Sequence, residues 1–195
     1  MKKYFKNENK FRIIFAGNIG RFQGLETIIN AMLILSKKKL NIELVFLGEG
    51  TDKKYLRKIS GHLSGSTIHF FPHQPIAIAK QIIRDADIGL VSLTADVQKY
   101  AYPSKVMTYL SEGCPILVTV EEKCELTEFV DRYEIGVCAT CFNENEIVRS
   151  LTDLYEDPAR LSTMRDNAKK ISKQFEEKTV LEKWGKLVTQ LRRNA

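Results

Sequence analysis

The feature that most constrains this chain is a sixfold alternation of short apolar runs with segments of helical periodicity. The apolar runs are FRIIFAG (Phe11 to Gly17), IELVFLG (Ile42 to Gly48), TIHFF (Thr67 to Phe71), IGLVSL (Ile88 to Leu93), PILVTV (Pro115 to Val120) and IGVCAT (Ile135 to Thr140). Each is short and mostly apolar, as strands buried on both faces are. Between the first two, Leu25, Ile28, Ile29, Met32 and Leu35 form a helical stripe that ends in three lysines. Thr51 or Asp52 is placed to cap a second helix, Pro75 opens a third, and Gly113 closes a fourth in a left-handed cap. ELTEFVDRY supplies a fifth. Such alternation predicts an α/β fold, a doubly wound parallel six-stranded sheet with helices on both faces and right-handed crossovers. After Cys141 the pattern turns helical: a helix over 143–156, another from Pro158, and a last one striped by Val180, Leu181, Trp184, Leu187, Val188 and Leu191. At 195 residues the chain suits one domain, 1–195, with extra C-terminal helices.

Composition narrows the function. No apolar run approaches the ~18 residues a spanning helix needs. The basic start MKKYFKNENK leads into a strand rather than an apolar signal core, which points to the cytoplasm. A net charge of +6 suits anionic ligands, but the lysines are not interleaved with aromatics as in nucleic-acid binders. Of four cysteines, only Cys138 and Cys141 have metal-ligand spacing, and His62, His69 and His73 lie far back in the chain. Reduced thiols and no metal are therefore expected.

In doubly wound sheets the ligand sits at the carboxyl ends of the strands, so function should be read from the loops there. GNIGRFQG (Gly17 to Gly24) is a turn whose Gly17 and Gly20 could aim amides at an anion, with Arg21 as a fork of donors. It lacks the first glycine of a dinucleotide fingerprint and the Lys-Ser/Thr of a P-loop. In YPSKVMTYLSEG, Ser104 can cap a helix and Lys105 adds a full charge. Two such termini facing one crevice suit a diphosphate. Gly48 to Gly50, with His73 and Gln74, fit a slot for a flat base. No pair of carboxylates or Ser-His-Asp set stands out, so the spacing alone gives a nucleotide binder without a reaction.

The series GNIGRFQGLETII, LVFLGEGTD, IHFFPHQP, RDADIGLVSL, YPSKVMTYLSEGCPILV, EIGVCATCFNENEIVRSL and LYEDPARLSTMRDNAKK resembles the C-terminal half of bacterial retaining GT-B glycosyltransferases of group 1, family 4. That resemblance runs from about Lys10 to the end. It implies a Rossmann-like domain that binds a nucleotide sugar, usually UDP-linked, without metal, for capsule, O-antigen or related cell-surface glycan synthesis. It implies a partner too, an N-terminal acceptor-binding domain or chain that carries the main catalytic residues. The half alone is expected to be inactive, and the membrane enters through a lipid-linked acceptor at the inner face of the plasma membrane.

By the same resemblance, the donor-binding residues are Gly17, Asn18, Gly20, Arg21, Gly48, His73, Gln74, Ser104, Lys105 and Thr108, with Lys105 a leaving-group stabiliser. Many members have an arginine and a lysine where this chain has Asn18 and Gln23, and two glutamates where it has Tyr100 and Thr108. Segment 175–195 corresponds to a helix that crosses to the N-terminal domain. Two other readings stand beside this one: a non-catalytic nucleotide-binding or subunit-interaction domain, and an NAD-dependent oxidoreductase domain suggested by AGNIG. The second lacks the first glycine, and its acidic residue is misplaced at Glu49.

Overall fold

The computed structural model describes residues 10–94, 103–120 and 124–193. Six parallel strands form one sheet: β1 (Phe11–Ala16), β2 (Ile42–Leu47), β3 (Ile68–Phe71), β4 (Ile88–Ser92), β5 (Ile116–Val120) and β6 (Gly136–Thr140), in the order β3-β2-β1-β4-β5-β6. All six lie where the apolar runs predict them, within a residue at either end. Between and after the strands come α1 (Leu25–Lys37), α2 (Lys53–Ile59), α3 (Ile76–Arg84), α4 (Lys105–Ser111), α5 (Glu125–Tyr133), α6 (Glu144–Glu156), α7 (Pro158–Ser172) and α8 (Glu177–Arg193).

Strand alternation splits the core in two. Ile13, Phe15, Leu44, Phe46, Leu90 and Leu117 face α1, α2 and α6, whereas Ile14, Val91, Ile116 and Val118 face α3, α4 and α5. Removing these side chains from water is what holds the layers together. At the amino ends of the strands a charged cluster crosses the sheet. Arg12 and Lys10 pair with buried Glu43, His69 stands 3.6 Å from it, and Asp87 accepts from the Arg12 amide and from Arg165.

Two capping expectations fail. Asp52 and Ser104 both have right-handed helical backbones and neither side chain makes a cap bond, while Thr51 lies one residue ahead of the N-cap and its hydroxyl donates to Asp52 Oδ1. Main-chain carbonyls serve instead: Gly50 O receives Lys53 N, and Pro103 O receives Val106 N. Gly113 does take the left-handed conformation, at φ 68°.

The last helix is amphipathic, as its stripe predicts, but its apolar face is uncovered in this structure. Leu181, Trp184, Val188 and Leu191 are 45–62% exposed. Its anchor is the short 3-10 turn Lys173–Phe175, where Phe175 meets Phe129 edge-on.

Candidate functional site

Neighbouring strands β1 and β4 carry the chain to opposite sides of the sheet, and they mark the switch point of the topology. They pair only at Ile13↔Ile88 and Ile14↔Gly89. Beyond that the gap is bridged by Tyr109 of α4, whose hydroxyl accepts from Ala16 N at 2.8 Å and lies 3.4 Å from the carbonyls of Ile14 and Leu90. Gly89 makes room for the ring, since a Cβ there would stand 2.6 Å from Tyr109 Cδ2. Tyr109 is a functional support that the sequence did not flag; its spacing of four from Lys105 puts both on one face of α4.

Lys105 reaches along that face to the carboxyl end of β1. Its Nζ donates to Gln23 Oε1 at 2.9 Å and sits 3.9 Å from the centroid of the Phe15 ring. A Cβ on Gly17, which has φ 139°, would lie 3.8 Å from it. Burial pushes the ammonium down to about 8 from its usual 10.5. Among the described residues no carboxylate pairs with it. A part-buried cation with an amide, an aromatic face and no counter-charge is set up to receive an anion.

The glycine turn is held from several sides. Ile19 is fully buried and locks into the next loop, through its amide to Glu49 O and its carbonyl to Asp52 N. Gly48 and Gly50 pack directly on this turn: Cβ atoms there would stand 2.0 Å from Gly17 O and 2.1 Å from Ile19 O. Gly48 therefore brings two backbones into contact rather than opening a slot for a base. Lys53, also not flagged by the sequence, gathers the carbonyls of Gly48 and Phe71 and the Glu49 carboxylate. On the other side, Ser92 Oγ donates to Gln23 O and Thr94 N to Phe22 O. On β5, opposite Ser92, Thr119 Oγ1 is a buried hydroxyl with no hydrogen-bond partner among the described residues.

The predicted site residues divide into groups. Gly17 and Lys105 come together, and Thr108 lies on α4 within a turn of Lys105. Asn18 is exposed at the top of the turn, beside Gly20. Ser104 is exposed ahead of α4, a helix of seven residues, so the anion attraction there rests on the Lys105 charge. The amides of Gly17, Ile19 and Gln23 are taken by protein carbonyls, so those members of the turn are not free for a ligand. Arg21 sits in a 3-10 turn, Arg21–Gln23, and lines a groove on the α1 side with Asp52 and Tyr55. His73 is exposed in the loop after β3, and Gln74 there donates to Pro72 O. Tyr100 lies outside the described residues. Cys138 is in β6 and Cys141 just past it, both thiols.

Fold and crevice together define a doubly wound α/β domain with a part-buried lysine at its switch point. By comparison with known proteins it belongs to the glycosyl transferases group 1 family, whose model matches residues 1–171. The chain is 27% identical over 164 residues to WcaI of Escherichia coli (strain K12), named for colanic acid biosynthesis; the match covers 84% of this chain and 40% of WcaI. Among solved structures, Anabaena HepE in complex with UDP superposes with a TM-score of 0.76 at 16% identity, covering 93% of this chain and 49% of HepE. The C-terminal domain of a group 1 glycosyl transferase, LpcC of Francisella tularensis, gives a TM-score of 0.70 at 16% identity, covering 84% of this chain and 85% of that domain. The chain spans 30–50% of the length of the curated relatives it matches.

Proposed function

We propose that this chain is the donor-binding half of a two-domain glycosyltransferase, and that the β1/β4 crevice holds the diphosphate of a nucleotide sugar, UDP-linked in the first instance. The carrying observation is Lys105, a part-buried ammonium at the switch point with no carboxylate partner among the described residues. A bound diphosphate supplies the missing counter-charge. The loop after β3 lies two strands from β1, roughly 10 Å away, which suits a base at His73 and Gln74 with its phosphates at Lys105. Thr108, one turn along α4, is placed for a ribose hydroxyl. Family membership and the UDP complex of HepE support this reading.

On this reading Lys105 stabilises the leaving diphosphate as the sugar bond breaks, so no metal is required for binding. The main acceptor-binding surface and the remaining catalytic groups come from the other half. The uncovered apolar face of α8 is where that half docks. The names of relatives such as WcaI favour a cell-surface polysaccharide as the product. Calorimetry with UDP, UDP-glucose and NAD, each with and without EDTA, tests the reading. UDP and UDP-glucose should bind regardless of EDTA and NAD should not. Binding of NAD in preference to UDP would reject it.

A further inference from the structure

On the other side of the glycine turn, the carboxyl-end loops of β1, β2, β4 and β6 enclose a second cavity of about 480 Å³, set against α1, α2 and α6. Its wall carries Glu26, Asp52 and Glu144 against a single guanidinium, Arg21. Three carboxylates repel a phosphate, so this space does not serve the donor diphosphate. Among the described residues they do not form a cation-binding group either. One of them is already oriented: Asn30 donates to Glu144 at 3.2 Å.

The cavity also carries Phe142, an aromatic ring with no ring contact among the described residues. Phe142 is 58% exposed and has φ 64°, a left-handed backbone that glycine or asparagine adopts far more readily. A strained, exposed phenylalanine at a cavity wall is retained at a cost in stability, which points to a role outside folding. An apolar ring sharing a cavity wall with carboxylates, an amide and a guanidinium is the chemistry that recognises a sugar: the ring takes the C–H face, and the polar groups take the hydroxyls.

We propose that this cavity is a saccharide-binding subsite, separate from the donor crevice, that takes a sugar ring on the acceptor side. The assignment to the acceptor rests on the transferase reading above; the sugar site itself rests on the cavity and Phe142. It is tested by saturation-transfer NMR on the 195-residue chain with methyl glycosides of glucose, galactose, mannose, rhamnose, fucose and N-acetylhexosamines, with UDP titrated in parallel. At least one glycoside should bind at millimolar concentration and remain bound when UDP is saturating. Phe142→Asn should weaken that glycoside at least fivefold while leaving UDP affinity unchanged and Tm unchanged or raised, because asparagine tolerates the left-handed backbone. Glu144→Gln should also weaken the glycoside. No transfer to any glycoside, equal transfer to Phe142→Asn, or displacement by UDP would each overturn the proposal. If UDP binds and the glycosides do not, the subsite falls and the donor reading stands. If glycosides bind through Phe142 and UDP does not, the donor reading falls and the sugar site stands.

Discussion

If the charge on Lys105 holds the ligand diphosphate, nucleotide affinity should titrate with that lysine. Burial places its free-state pKa at about 8. A bound diphosphate favours the ammonium, so binding above pH 8 must take up a proton. From that value the apparent Kd for UDP should rise about tenfold between pH 7 and pH 9, while the phosphates stay fully ionised. Uridine titrated alongside controls for the base and should show no such rise. Lys105→Met should bind UDP ~10- to 150-fold more weakly at pH 7, the equivalent of one lost charge-assisted bond, and its residual affinity should not vary with pH. The stability effect has the opposite sign. The folded pKa lies below the unfolded one, so the unfolded chain binds more protons between pH 8 and 10.5, and wild-type stability rises with pH across that window. At neutral pH the charged lysine costs the folded state at most ~3 kcal/mol. Lys105→Met should therefore raise Tm while weakening the ligand. Isothermal calorimetry over pH 7–9 and thermal melts of both proteins supply the data. A Kd for UDP that is flat from pH 7 to 9 in the wild type would refute the reasoning.

Other outcomes follow from the same geometry. Gly48→Ala drives a methyl into Gly17 O, so the two loops must part; a loss of roughly 3 kcal/mol in thermal unfolding is expected, with weaker UDP binding. At the opposite end of the sheet, burial pushes the Glu43 carboxyl up, but hydrogen bonds from His69 and Arg12 and the charges of Arg12 and Lys10 outweigh it and hold it at about 2. Its contribution of ~3 kcal/mol is present above pH 4.5 and is lost as pH falls toward 2, so Glu43→Gln should flatten the acid limb of the stability curve and leave UDP affinity alone. Hydrogen exchange over 180–193 should be fast in the isolated chain and slow when the N-terminal half is supplied; strong protection in a dilute monomer would contradict an interdomain role for α8.

The strands were legible because the four inner ones are buried runs and the two edge strands β3 and β6 keep the same short apolar pattern, so local composition and tertiary environment agree. Their ends were found to within a residue, and the order β3-β2-β1-β4-β5-β6 is the one that two right-handed halves produce. The site was legible in outline, since loops after parallel strands can be listed from the sequence, and Lys105 and Gly17 do meet. Side-chain direction was not. Arg21 and Lys105 both looked like diphosphate ligands, yet a 3-10 turn carries Arg21 to the far side of the glycine turn. The caps at Asp52 and Ser104 failed because the chain enters those helices already in helical conformation, which residue type does not reveal. Tyr109 was hidden because a tyrosine in a helix reads as core, and only the splayed β1/β4 gap shows what its hydroxyl does. Gly48 and Gly50 looked like room for a ligand and are instead room for another backbone.

The central claim is that the β1/β4 crevice holds the diphosphate of a nucleotide sugar on Lys105. A crystal structure of the chain grown with UDP and EDTA measures this most directly. The account predicts a phosphate oxygen within about 3 Å of Lys105 Nζ, the Gln23 contact loosened, and the base over the loop of His73 and Gln74. UDP bound elsewhere, with Lys105 still on Gln23 and Phe15, would contradict it.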